Sequence, residues 1–205
     1  MRSQKDAWDE LYRSGSRPWR GVISTATPFP FSKGDKVLDI GCGNGKTSSA
    51  LIEAGYDVTG IDISEAAVEM CIRLSEGKIK AFTASADAIP LDDATQDGVV
   101  MVHVLEHIGA EDMERTVKEV IRVLRPEGKL FVRVFHKDDM RADSGERIDD
   151  STVIRGNGIR YHYFTESELK SIFSDLSEIS LKRIDEMTKF NKKRSRIEAV
   201  FKRTA

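Results

Sequence analysis

The stretch Val37-Leu38-Asp39-Ile40-Gly41-Cys42-Gly43-Asn44-Gly45-Lys46-Thr47 narrows the choice of fold more than any other part of the chain. Val37 to Ile40 is a short apolar run, broken only by Asp39, as expected of a buried parallel strand. Three alternating glycines follow, and Thr47 to Ala54 reads as a helix. A strand, a glycine turn and a helix gather backbone N–H groups and the positive end of a helix around one point. Gly41 and Gly43 carry no Cβ, so the chain can turn sharply there and a ligand can lie on bare backbone. Asp62, at the end of Val58-Thr59-Gly60-Ile61-Asp62, falls about twenty residues further on, where an acid can hold a ribose diol.

Three nucleotide patterns compete for these glycines. The phosphate loop G-x-x-x-x-G-K-[ST] matches Gly45-Lys46-Thr47 at its end but needs a glycine where Ile40 stands. The dinucleotide fingerprint G-x-G-x-x-G/A needs a small residue where Lys46 stands, and a long side chain would obstruct close pyrophosphate approach. The string Val-Leu-Asp-Ile-Gly-Cys-Gly-Asn-Gly instead resembles the first motif of class I S-adenosylmethionine (SAM)-dependent methyltransferases, of the type 11-like kind.

The rest of the pattern agrees with an α/β chain. Gln4 to Arg13 has apolar residues at helical spacing (Ala7, Trp8, Leu11, Tyr12). Strands are predicted over 79–83, 98–102 and 129–135, and helices over 66–74, capped by Ser64, and 113–124. Thr165 and Glu168 mark a helix start, and two last strands over 179–186 and 197–201 form an edge hairpin. The resemblance implies a doubly wound, mostly parallel seven-stranded sheet with a C-terminal antiparallel hairpin, the Rossmann-like methyltransferase fold. At 205 residues a single domain is expected over 1–205, with 1–34 an N-terminal helical lid.

Bulk composition adds exclusions. Lys and Arg (32) nearly balance Asp and Glu (34), so no global field draws the chain to nucleic acid or membrane. No apolar run approaches the roughly 20 residues that span a bilayer, and Met1-Arg2-Ser3-Gln4-Lys5 has no signal core. Cys42 and Cys71 form no disulfide or metal pattern, which suits a reduced, cytoplasmic setting.

The resemblance also implies site roles. Backbone at Gly41 and Gly43 receives the amino-acid end of SAM, and Asp39 engages its ammonium or caps the loop. Asp62 accepts from the ribose hydroxyls, Ile63 lies on the adenine, and Asp87-Ala88 meets the adenine amino group. His103 sits beside the sulfonium as a candidate base, with His136 a second candidate. Trp19, Arg20, Tyr161 and His162 are expected on the acceptor side. His103-Val104-Leu105-Glu106-His107 matches H-x-x-E-H, but its place after a parallel strand does not suit a zinc protease. Related O-methyltransferases carry E-x-x-E-H there and hold Mg²⁺; here the first Glu is His103, a poor Mg²⁺ ligand, and no metal is expected.

A small-molecule acceptor is the expected substrate, without membrane association. Besides metal-assisted O-methylation at the His103–His107 motif, two other readings stand beside it. The segment Arg160-Tyr161-His162-Tyr163 is similar to one in wobble-uridine tRNA methyltransferases, and Lys189 to Arg196 is strongly basic, so RNA is the alternative acceptor. The other is a SAM-binding sensor or scaffold without turnover. Asp138 to Asp150, rich in charge, reads as a mobile flap.

Overall fold

The structure is a computed structural model that describes residues 3–14 and 28–204. Among these, a seven-stranded sheet carries the molecule: β1 (Lys36–Ile40), β2 (Asp57–Asp62), β3 (Lys80–Thr83), β4 (Gln96–Val102), β5 (Leu124–Phe135), β9 (Ser177–Met187) and β10 (Lys193–Lys202). Its order is β3-β2-β1-β4-β5-β10-β9. The first five strands are parallel, and β10 runs antiparallel to both β5 and β9. The doubly wound sheet and closing hairpin expected from the sequence are therefore both present.

Helices α1 (Gln4–Arg13), α2 (Lys46–Glu53), α3 (Glu65–Leu74), α4 (Ala110–Val123) and α5 (Glu166–Ile172) surround the sheet. Ser64 caps α3 by accepting from the Ala67 N–H, and Thr165 with Glu168 forms a full capping box on α5. One sheet face packs Leu38, Ile40, Val99, Met101, Val132 and Val134 into the main core; Val37, Leu51, Val100 and Phe131 form a second cluster on the other face. Because the parallel strands are buried on both faces, they read as continuous apolar runs rather than alternating ones.

Two features depart from the sequence reading. β5 starts at Leu124 rather than Lys129: Leu124 pairs with Gln96, the turn Arg125–Gly128 loops out, and pairing resumes at Lys129. The second is an unforeseen three-stranded antiparallel sheet of β6 (Glu146–Arg147), β7 (Thr152–Ile154) and β8 (Arg160–His162). The 138–150 stretch read as a flap is anchored at Asp139 and paired to β7 at Glu146–Arg147, while Asp143 to Asp150 is exposed. Asp139 is buried, binds the Arg141 guanidinium at 2.6 Å and accepts the Ser195 N–H at 2.9 Å. Strands of two or three residues lie below what periodicity can detect.

Where the glycine turn, the arginines and the aromatics meet

The carboxyl ends of β1, β2, β4 and β5 open into a cavity of about 850 Å³, at the upper end of what small ligands occupy. Its floor is the glycine turn. Gly41 and Gly43 have φ of 67° and 53°, and a Cβ on Gly41 would lie 2.5 Å from Val104, one on Gly43 2.6 Å from the Tyr12 hydroxyl. The turn is thus bare where a ligand can approach its backbone. Asp62 stands beside it, nearly buried, accepting the Gly43 N–H through one oxygen and the Ser64 N–H through the other, both at 2.9 Å. Burial pushes its pKa up to about 6, with those N–H groups pulling the other way. Each carboxylate oxygen retains acceptor capacity for a vicinal diol.

Ile63, Ala84, Ala86 and Asp87 line the slot beyond Asp62. Asp87 accepts from Ser85 and, at 3.1 Å, from the Arg115 guanidinium; the Ser85 hydrogen bond, then Arg115, hold its carboxyl below the usual range. Diol acceptor, apolar slot and bare turn are the donor set a nucleoside amino acid such as SAM requires, and the residues fit it.

Asp39 and Ala88 are corrections. Asp39 does not reach the cavity: it is 1% exposed beneath the turn and accepts the Ser48 hydroxyl at 2.6 Å, tying α2 to β1. Burial raises its pKa to about 7, opposed by Ser48. Ala88 is exposed off the cavity wall, its N–H closing a turn on the Ser85 carbonyl.

Opposite the turn, His103 follows β4 with φ of 58°, a left-handed conformation rare for a side-chain-bearing residue. Its Nδ1 lies 2.9 Å from the fully buried Glu106 Oε1, which also accepts the Phe135 N–H at 2.8 Å. The His103 ring stacks on Phe135 at 4.0 Å, and the Arg141 guanidinium covers the same ring at 4.1 Å. Burial lowers the His103 pKa against the pull of Glu106. His107 donates Nδ1–H to the Arg160 carbonyl at 2.6 Å, since a carbonyl only accepts, so Nε2 carries the lone pair. Burial likewise keeps this ring neutral. Trp8 meets it edge-on at 4.8 Å.

The second candidate base and two of the expected acceptor-side residues lie elsewhere. His136, 1% exposed, accepts the Asp138 N–H at Nδ1 and faces Glu166 at 3.2 Å through Nε2; it fastens the end of β5 rather than lining the cavity. His162 joins Thr152 (2.8 Å) to Glu168 (2.7 Å), tying β8 to α5. Tyr161 is buried behind His107, with the Arg155 guanidinium 3.7 Å from its ring. Trp19 and Arg20 lie outside the described residues.

The wall is supplied instead by Trp8 and Tyr12 from α1, read in the sequence as helix packing, by Arg160, Arg194 and Arg196 from the two stretches read as pointing to RNA, and by Arg133 and Arg141, which the sequence reading passed over. Arg133 had a visible signal, a lone charge inside the apolar run of β5; it pairs with the buried Glu198 at 2.6 Å. Asp9 accepts the Ser64 hydroxyl at 2.6 Å and the Ala66 N–H at 3.3 Å, which holds α1 over the cavity.

Comparison with known proteins agrees with this geometry. Residues 38–132 match the family model described as "Methyltransferase domain". The tRNA N(3)-methylcytidine methyltransferase Mettl2 of Drosophila melanogaster is 30% identical over 152 residues, 67% of this chain and 47% of that protein. The chain thus spans about half the length of the curated relatives it matches. A SAM-dependent methyltransferase structure from Methanosarcina mazei superposes with a TM-score of 0.75 at 24% identity, covering 85% of this chain and 94% of the other. The 1,6-didemethyltoxoflavin-N1-methyltransferase of Burkholderia thailandensis, solved with S-adenosylhomocysteine, superposes at 0.67 and 17% identity over 98% of this chain and 78% of its own. With the glycine turn and Asp62 beside it in place, the chain belongs to the class I SAM-dependent methyltransferases.

Proposed function

We propose that this chain transfers a methyl group from SAM to a base of RNA, most simply tRNA. The observation that carries the reading is the wall of five arginines in the cavity that also holds the glycine turn. Arg194 is exposed at its rim, whereas Arg133 and Arg141 are engaged with Glu198 and Asp139 deeper in. Guanidinium groups suit phosphates and stack on flat rings, and the cavity has room for a base drawn out of its strand beside the donor. The tRNA substrate named for the Drosophila relative points the same way.

Bound SAM supplies an electrophilic methyl carbon on a sulfonium. The chain's own part is alignment and exclusion of water. Gly41 and Gly43 hold the amino-acid end by backbone, Asp62 holds the ribose, and Ile63 with Asp87 sets the adenine. Trp8 and Tyr12 close the cavity from above. His103, neutral and backed by Glu106, takes a proton where the acceptor has one to lose.

A small-molecule acceptor is the second reading, favoured by the seating of α1 over the cavity, which suits a substrate enclosed whole. Incubation with methyl-labelled SAM, total tRNA and a small-molecule extract separates them. Label in nuclease-sensitive material is the expected result. Label confined to the extract establishes the second reading, and SAM binding without label in either fraction shows a module without turnover.

A further inference from the structure

The hairpin that supplies Arg194 and Arg196 to the cavity continues beyond its rim, and its tip has an unusual composition. From Thr188 to Arg196 there are five cations and no acid, in a chain whose net charge is −2. Among the described residues, Lys189, Lys192 and Arg194 make no ion pair, whereas Lys193 lies near Asp138 and Asp185 and Arg196 is held by Glu186. Within this basic tip Phe190 is 73% exposed and Met187, which pairs with Lys193 across the hairpin, is 61% exposed. The Lys189 ammonium sits 5.0 Å from the Phe190 ring, so the aromatic face already carries a cation beside it.

An exposed phenylalanine contributes nothing to the core, and β9–β10 needs no apolar tip to pair. The turn is closed by backbone bonds from Thr188 N–H to the Lys192 carbonyl and from Asn191 N–H to the Thr188 carbonyl, independent of Phe190. A stacking platform flanked by lysines is the composition of a single-strand nucleic-acid site. Its position is consistent with that: a strand that inserts one base into the cavity must run its neighbouring nucleotides over the rim, and Arg194 and Arg196 join that rim to the tip on one continuous strand.

We propose that the β9–β10 tip is a grip for unpaired RNA: Phe190 stacks on a base next to the one in the cavity, and Lys189 and Lys192 neutralise the phosphates around it. This rests on the RNA reading above. An anionic lipid surface fits less well, because the apolar part is confined to two side chains on one hairpin.

The test uses the full chain, a fluorescent single-stranded RNA oligonucleotide and total tRNA. Phe190→Ala is expected to weaken RNA binding about five- to a hundredfold. Lys189→Gln with Lys192→Gln is expected to flatten the log–log salt dependence by about 1.4 for the oligonucleotide. Both should raise KM for RNA and leave kcat and SAM affinity at wild-type values, since none of the three side chains lines the cavity. RNA methylation by the wild type with KM and salt slope unchanged in the variants overturns the grip and leaves the RNA reading standing. A wild type that neither binds nor methylates RNA overturns both. Loss of binding to phosphatidylserine vesicles, with RNA binding intact, assigns the tip to a membrane and also overturns the grip.

Discussion

The carboxylate of Glu106, fully buried, bridges the His103 imidazole at 2.9 Å and the Phe135 N–H at 2.8 Å, and so joins the ends of β4 and β5 on the cavity wall. This one side chain both shapes the wall and sets the charge behind the candidate base. Glu106→Ala would leave two donors unpaired and is expected to cost about 2–4 kcal/mol in chemical denaturation. Glu106→Gln keeps an acceptor but removes the charge that favours imidazolium. The His103 pKa then falls, the neutral form persists to lower pH, and the acid limb of kcat/KM should move to lower pH.

Asp62 tests the donor site. Its carboxylate lies at the end of β2 with one backbone N–H on each oxygen, leaving acceptor sites for a diol. Asp62→Asn is expected to weaken SAM and its demethylated product by tenfold or more, consistent with the loss of about 1.5–3 kcal/mol per charge-assisted bond. Calorimetry with both compounds measures it; wild-type affinity would remove Asp62 from the ribose.

Asp39 makes a prediction about stability alone. Its folded pKa, about 7, lies above the ordinary 3.8 because of burial. Below about pH 4 both folded and unfolded chains hold this proton. As pH rises, the unfolded chain releases it first, so the folded state binds more protons and loses stability up to about pH 7. Asp39→Asn removes this penalty while keeping an acceptor for Ser48. The variant's gain over wild type should grow from near zero at about pH 4 to roughly 2–4 kcal/mol at about pH 7, read from denaturant midpoints.

Gly43 tests the turn. At φ of 53° an alanine is strained by about 1–2 kcal/mol, and its Cβ would meet the Tyr12 hydroxyl at 2.6 Å. Gly43→Ala should lower the melting temperature and SAM affinity. Tyr12→Phe in the same chain removes the clashing oxygen and should restore part of the stability, while the backbone strain remains.

How much of this was legible depended on the length of pattern each element supplies. The glycine turn, Asp62, the Ser64 and Thr165 caps and the edge hairpin all rest on local chemistry and were readable. The cavity wall beyond the turn was not. Tyr161 and His162 look like site residues in sequence because aromatics and histidines crowd together there, yet they are consumed by Arg155, Thr152 and Glu168. Which side chains face a cavity is decided by a three-stranded sheet too short to announce itself. Arg133 and Arg141 were overlooked because each stands alone in sequence; they meet Arg160, Arg194 and Arg196 only where β5 and the turn after it come beside β8 and β10.

Ser64 has a second consequence. Its N–H serves Asp62 and its hydroxyl serves Asp9 on α1, so one residue links the helix above the cavity to the carboxylate inside it. Lifting α1 forfeits that hydroxyl bond and the Ala66 contact next to Asp62, whereas passage along the exposed Arg194 side disturbs neither. On the RNA reading, an acceptor that enters past Arg194 would leave α1 seated, whereas donor exchange by way of the helix would break both Asp9 bonds.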